Sequence, residues 1–238
     1  MSNENDFIKH NIEDIRKRVE KAALKSGRSL SDIEIIAVSK TVEPERINKA
    51  IEAGLKNLGE NRVQELCEKY DILSEECKWH LIGHLQTNKV KYIVDKVALI
   101  HSVDRIDLAR EIDLRAKKAG KILDILVQIN VAGEESKFGL SSEESLEFIK
   151  NVSKFDNISV KGLMTIAPLV QNQEEVRPVF RELRKIFIDI KRENIDNINM
   201  DYLSMGMSND FEVAIEEGSN MVRIGTAIFG RRQYSPSG

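Results

Sequence analysis

The chain has 238 residues, 41% of them hydrophobic and 32% charged, with a formal net charge of −3. That length buries a full core and is close to that of one α/β barrel, while the near-neutral balance gives no global pull toward nucleic acid or an anionic membrane. No window approaches the ~18 consecutive apolar residues of a membrane span, residues 1–6 lead into no signal-peptide core, and Cys67 and Cys77 form no CxxC pair, which together describe a soluble cytoplasmic protein.

In chain order, residues 6–26 place Ile8, Ile12, Ile15, Val19 and Ala22 on one helical stripe, with Gly27 as its stop. Short apolar runs then alternate with helical spacing. The runs at 34–38, 55–58, 79–82, 98–101, 123–131, 159–165, 202–204 and 221–224 read as strands. Between them, Pro44 suits a first helical turn ahead of Ile47, Ala50 and Ile51. Ser141 and Glu144 have the spacing of a capping box. Val176, Val179, Phe180, Leu183, Phe187 and Ile190 form a further stripe, in which Pro178 marks either the helix start or a kink. Eight strands alternating with helices predict a parallel (β/α)₈ TIM barrel with an extra N-terminal helix, and a doubly wound open sheet is the alternative. No linker or low-complexity stretch divides residues 1–238, so one domain is expected.

Lys40 directly follows the first strand, in Ala37-Val-Ser-Lys40-Thr. Barrel active sites form at the C-terminal ends of the strands, where burial disfavours an ammonium and leaves the amine ready to attack a carbonyl. A solvated loop lysine is the plain alternative. Near the other end stands Ser204-Met205-Gly206-Met207-Ser208, read as a short strand running into a turn and then a helix. Small residues let backbone N–H groups approach an anion, hydroxyls add donors, and the helix start adds its dipole. Arg223-Ile-Gly225-Thr226 makes a second such turn, and barrels often bind phosphate with the loops after strands seven and eight. Two ordinary tight turns would look alike singly; their pairing in this order points to phosphate.

An amine nucleophile and a phosphate cradle fit a phosphorylated aldehyde, either pyridoxal 5′-phosphate (PLP) or a sugar phosphate in a Schiff-base aldolase. Arg223, two residues before Gly225, can project toward a ring beside the phosphate and donate to a pyridine nitrogen; a structural ion pair is its other reading. Asn61, in Gly59-Glu-Asn61-Arg-Val-Gln-Glu65, can reach the ring hydroxyl or cap a helix. His80 and His84 bracket a strand end without an acidic third ligand, so no metal site is expected. His84 is the functional candidate, His80 packs, and His10 and His101 look incidental. The basic pairs Lys117-Lys118 and Arg231-Arg232 read as solvated surface.

These segments, with Trp79-His-Leu-Ile-Gly-His-Leu-Gln-Thr-Asn-Lys89 and Gly162-Leu-Met164, make the chain similar to the pyridoxal phosphate homeostasis protein family (YggS in bacteria, PROSC in animals). The resemblance implies a fold-type III PLP barrel related to the N-terminal domain of alanine racemase. It implies Lys40 as the imine lysine, Ser204, Gly206, Ser208, Gly225 and Thr226 around the phosphate, Met205 and Met207 as further cofactor-binding residues, Arg223 at the pyridine nitrogen, and Asn61 and His84 in the pocket. It further implies a PLP-handling protein without robust turnover, no catalytic residue, and apo PLP-dependent enzymes as candidate recipients. Racemases of this fold take a second proton-transfer group from an added β domain, and the chain's end at Gly238 leaves no expected room for one. A carrier is therefore the first expectation and a small amino-acid racemase or lyase the alternative. No coiled-coil stripe demands a dimer, so a monomer is expected.

Overall fold

The computed structural model describes residues 2–73, 76–134 and 136–230, with side chains from residue 7 onward; Arg231-Arg232 lies outside them. The apolar runs become eight strands: β1 Glu34–Val38, β2 Asn57–Glu60, β3 Lys78–Leu81, β4 Val97–Val103, β5 Leu123–Gln128, β6 Ile158–Met164, β7 Ile198–Met207 and β8 Met221–Ile224. Each pairs in parallel with its neighbours, and β8 returns to β1 with Ile36 opposite Arg223, so the sheet closes as a barrel. An open sheet is thereby excluded. Parallel strands need crossovers, and these are α2 Pro44–Glu52, α3 Val63–Tyr70, α4 Ile106–Lys118, α5 Ser145–Val152, α6 Arg177–Arg192 and α7 Phe211–Glu216. A 3₁₀ turn, Thr87–Tyr92, serves between β3 and β4, and α8 Thr226–Phe229 follows β8.

The leading helix α1, Ser2–Lys25, buries the expected stripe of Ile8, Ile12, Ile15, Val19 and Ala22. It crosses the closing seam, with Asn11 Nδ2 donating to Ile228 O at 2.9 Å and Arg18 Nη2 to Glu212 at 2.8 Å. Pro44 and Pro178 both fall in first turns, so Pro178 starts α6 rather than kinking it. The Ser141–Glu144 box forms, with Ser141 N donating to Glu144 at 3.0 Å. It closes a turn just ahead of α5 and not the helix itself.

Two cores result. The larger lies between strands and helices. The smaller gathers Ile36, Leu99, Leu126, Met164 and Met221 from five strands and no helix, as a layer inside a barrel does. β7 is the strand that departs most from expectation. It runs through Met207, so Ser204-Met-Gly-Met is strand, and a register shift against β8 between Ser204 and Met207 bends its end. Gly206 permits this, because its φ is +93° and a Cβ there would lie 2.6 Å from the Ala214 methyl and 2.9 Å from Phe211 Cα.

Candidate functional site

A cleft of about 390 Å³ opens at the C-terminal ends of the strands. Lys40 enters it two residues beyond β1, Asn61 one beyond β2, Ser208 one beyond β7, and Gly225 and Thr226 directly after β8. The loop 166–170 after β6 supplies an apolar wall on which Leu169 is 87% exposed. Arg223, on β8 itself, lies at the floor and is buried.

The floor continues downward as a column of polar side chains inside the barrel. Arg223 Nη1 donates to Ser204 Oγ at 2.6 Å and Nη2 to the Thr165 carbonyl at 2.8 Å. Ser204 Oγ stands 3.0 Å from His101 Nδ1, and His101 Nε2 stands 3.0 Å from His80 Nδ1. One direction of donation leaves the fewest bonds unmade. Ser204, accepting from Arg223, gives its proton to His101 Nδ1, and His101 gives its Nε2 proton to His80. His80 Nε2 then has no partner among the described residues.

Burial pushes the His80 pKa down to about 4, and burial with the neighbouring His80 and Arg223 holds His101 well below its usual range. Both rings are therefore neutral and put no second cation beside Arg223. Full burial lowers Arg223 itself to about 10, opposed by Asp210, so at neutral pH it remains a guanidinium. Its remaining N–H donors are fixed by the two bonds already made.

At the far side of the cleft, Ser208 Oγ accepts the backbone N–H of Gly225 at 3.2 Å and of Ala227 at 3.3 Å. Two amides thus converge on one oxygen, which is the donor set an anionic oxygen would take. Asp210 Oδ1 accepts the Met207 N–H at 2.5 Å and fixes the turn between β7 and α7; burial raises its carboxyl.

The cleft brings together Lys40, Asn61, Met207, Ser208, Arg223, Gly225 and Thr226. Ser204, Met205 and Gly206 lie elsewhere, buried in β7. The hydroxyl of Ser204 is directed inward to Arg223 and His101, so it buttresses the floor instead of facing a phosphate. His84 is also outside. It is exposed, stacks on Phe138 at 3.8 Å between ring centroids, and lines a separate shallow depression with Arg105. Partial desolvation of its ring, followed by the nearby Arg105, lowers its pKa. Because His80 points into the barrel and His84 away from it, the pair shares no metal. His101, read as incidental, is a central link of the column. The strand period held a signal for it, since Leu99 and His101 share one face of β4 as Met221 and Arg223 share one of β8. Asn61 does not cap α3; Arg62 occupies that position.

The model of the family described as "Alanine racemase, N-terminal domain" matches residues 5–233. A protein of Aquifex aeolicus named pyridoxal phosphate homeostasis protein is 48% identical over 221 residues, 92% of this chain and 96% of that one. The structure of PipY of Synechococcus elongatus PCC7942 with PLP bound is 30% identical, with a TM-score of 0.82 over 94% of this chain and all of that one. Alanine racemase of Clostridium difficile 630 has the same barrel at 18% identity, with a TM-score of 0.75 over 98% of this chain and 60% of the racemase. Among the described residues no helix is long and apolar enough to cross a membrane.

Proposed function

The chain belongs to the alanine racemase N-terminal-domain family and, within it, to the pyridoxal phosphate homeostasis proteins, and from that premise we propose that it binds PLP through Lys40 and holds it for PLP homeostasis. In this reading Lys40 would hold the aldehyde end of PLP through its amine, one water being released as it is taken up. Ser208, Gly225 and Thr226 take the phosphate, Asn61 flanks the ring, and Arg223 donates to the pyridine nitrogen. The observation that carries the proposal is the convergence, in one cleft, of Lys40, a buried guanidinium and a pair of backbone amides sharing one hydroxyl.

Bound PLP supplies an electrophilic carbon and an electron-withdrawing ring. Arg223, donating to the ring nitrogen and so keeping it unprotonated, would weaken that withdrawal. Among the described lining residues, the titratable groups are Lys40, Asp210 and Arg223, and Asp210 is engaged by Met207. A cleft whose second titratable side chain, Asp210, is tied to the Met207 amide suits holding and release more than racemisation. On this reading we place the protein as a carrier rather than an enzyme, acting in the cytoplasm with apo PLP-dependent enzymes as recipients. The test is an absorbance spectrum of the protein with PLP, before and after borohydride, with mass mapping of the modified peptide. The visible imine band should vanish in Lys40→Ala, and the adduct should map to Lys40. A wild-type protein without the band, or an adduct on another lysine, overturns the proposal. Turnover of an amino-acid panel well above that of free PLP, abolished by Lys40→Ala, would instead establish an enzyme.

A further inference from the structure

Beneath Lys40 lies an ionic cluster that no part of the cleft chemistry uses. Lys69, on α3, has a side chain only 8% exposed, and it donates to three acceptors: Glu60 at 2.7 Å, Glu65 at 2.7 Å and the Ser39 carbonyl at 2.6 Å. Glu60 is completely buried at the end of β2, and its Oε1 also accepts the Ser39 hydroxyl at 2.7 Å. Burial pushes the Glu60 carboxyl up, opposed by Lys69 and Ser39. Glu65 Oε1 also accepts the backbone N–H of Thr41. The residues on both sides of Lys40 are therefore tied to one cluster, Ser39 through Lys69 and Glu60 and Thr41 through Glu65.

Thr41 has φ of +60°, a left-handed conformation that is an outlier for a β-branched residue and that persists only where surroundings impose it. Here the imposing groups are visible: Glu65 takes its N–H, and its hydroxyl donates to the Lys40 carbonyl at 2.6 Å. An α3 anchored to the barrel for stability alone would need an ion pair. It would not need one lysine reaching the Ser39 carbonyl while its carboxylate partner takes the Thr41 amide.

We infer that Lys69, Glu60 and Glu65 form a positioning device that fixes the backbone on either side of Lys40 and so aims its amine into the cleft. The inference rests on the reading of Lys40 as the PLP lysine. Imine formation is sensitive to such aim, since misplacing a reacting atom by about 1 Å can slow a step roughly a hundredfold.

The test follows the borohydride-trappable band in wild type, Glu65→Ala, Lys69→Met, Thr41→Gly and Glu65→Ala with Thr41→Gly, with each variant's melting recorded without PLP. Glu65 is 20% exposed, so Glu65→Ala keeps the buried Lys69–Glu60 pair and serves as the milder variant. Both single losses should slow formation of the band about tenfold or more at saturating PLP, in proportion to lost aim and not to lost melting temperature. Thr41→Gly should restore much of that rate in the Glu65→Ala background, because glycine adopts φ of +60° without Glu65 holding its amide. A purely structural cluster predicts no such rescue. A folded Glu65→Ala variant forming the band at the wild-type rate overturns the inference by itself. A wild-type protein with no trappable PLP overturns the parent reading and this one with it.

Discussion

Replacing Gly206 with alanine should destabilise the protein through two separable effects. The first is conformational: φ of +93° is reached by glycine at little cost, and a left-handed L-residue costs about 1–2 kcal/mol. The second is steric, because the new methyl would lie 2.6 Å from Ala214 Cβ and 2.9 Å from Phe211 Cα, the latter being helix backbone. Overpacking of this kind costs about 1–3 kcal/mol more. Gly120 separates the two. It follows α4 with φ of +66°, and a Cβ there meets nothing within 4 Å, so Gly120→Ala carries the conformational effect alone. At roughly 3 °C per kcal/mol for a chain of this size, melting should fall by about 5 °C in Gly120→Ala and about 10 °C in Gly206→Ala. PLP affinity should discriminate further. Gly206 sets the path into Met207 and Ser208, whereas Gly120 sits between α4 and β5 at the opposite end of the barrel. Scanning calorimetry without PLP and a PLP titration of each variant measure both effects. Equal melting temperatures for the two, or unchanged affinity in Gly206→Ala, would refute the packing account of the β7 end.

Ser204→Ala should strand one Arg223 N–H and His101 Nδ1 inside the barrel, costing about 2–4 kcal/mol, and equilibrium urea unfolding should show the midpoint falling by about 1 M. Stability should also fall as the solution is acidified from pH 6.5 toward 4. Above 6.5 folded and unfolded His80 are both neutral; below it the unfolded ring takes a proton that the folded one, at about 4, refuses, so up to about 3 kcal/mol is lost, His101 adding in the same direction. Urea midpoints across that range in His80→Asn, flatter than wild type, check the assignment; identical slopes would contradict it.

The barrel was legible because its strands are buried on both faces and so read as plain apolar runs. Trp79, Ile100, Leu126 and Val222 announce β3, β4, β5 and β8 without any alternation being needed. That same double burial hid the column. When both faces are covered, period two says that Leu99 and His101 share a face but not that this face looks inward, and a lone histidine in an apolar run looks like filling. The path of β7 was hidden for another reason. Ser-Met-Gly-Met-Ser has turn composition, and only the positive φ and close helix contact at Gly206 show that the glycine lets a strand continue past a helix. Lys69 was illegible because Glu65 and Lys69 at i, i+4 match an exposed helical pair. What buries it is Glu60, on another element and nine residues away, together with the Ser39 carbonyl.

The interior of this barrel joins two requirements that oppose each other. The layer of Ile36, Leu99, Leu126, Met164 and Met221 fills space as a core should. Beside it sit a guanidinium, two imidazoles and a hydroxyl, in places where apolar side chains of similar volume would often be neutral or more stable. His80 Nε2, lacking a partner among the described residues, marks a cost still present. What this arrangement gains is a cation that cannot turn. Two fixed acceptors, Ser204 Oγ and the Thr165 carbonyl, hold the planar fork, so its other donors keep one direction at the floor of the cleft. A lysine at 223 would bring a charge without that plane, and its rotating ammonium could satisfy the same acceptors without facing a ring. Neutral histidines behind the arginine keep its charge uncontested. The polar column is therefore best understood as the support of one oriented donor, with stability given up where the orientation is made.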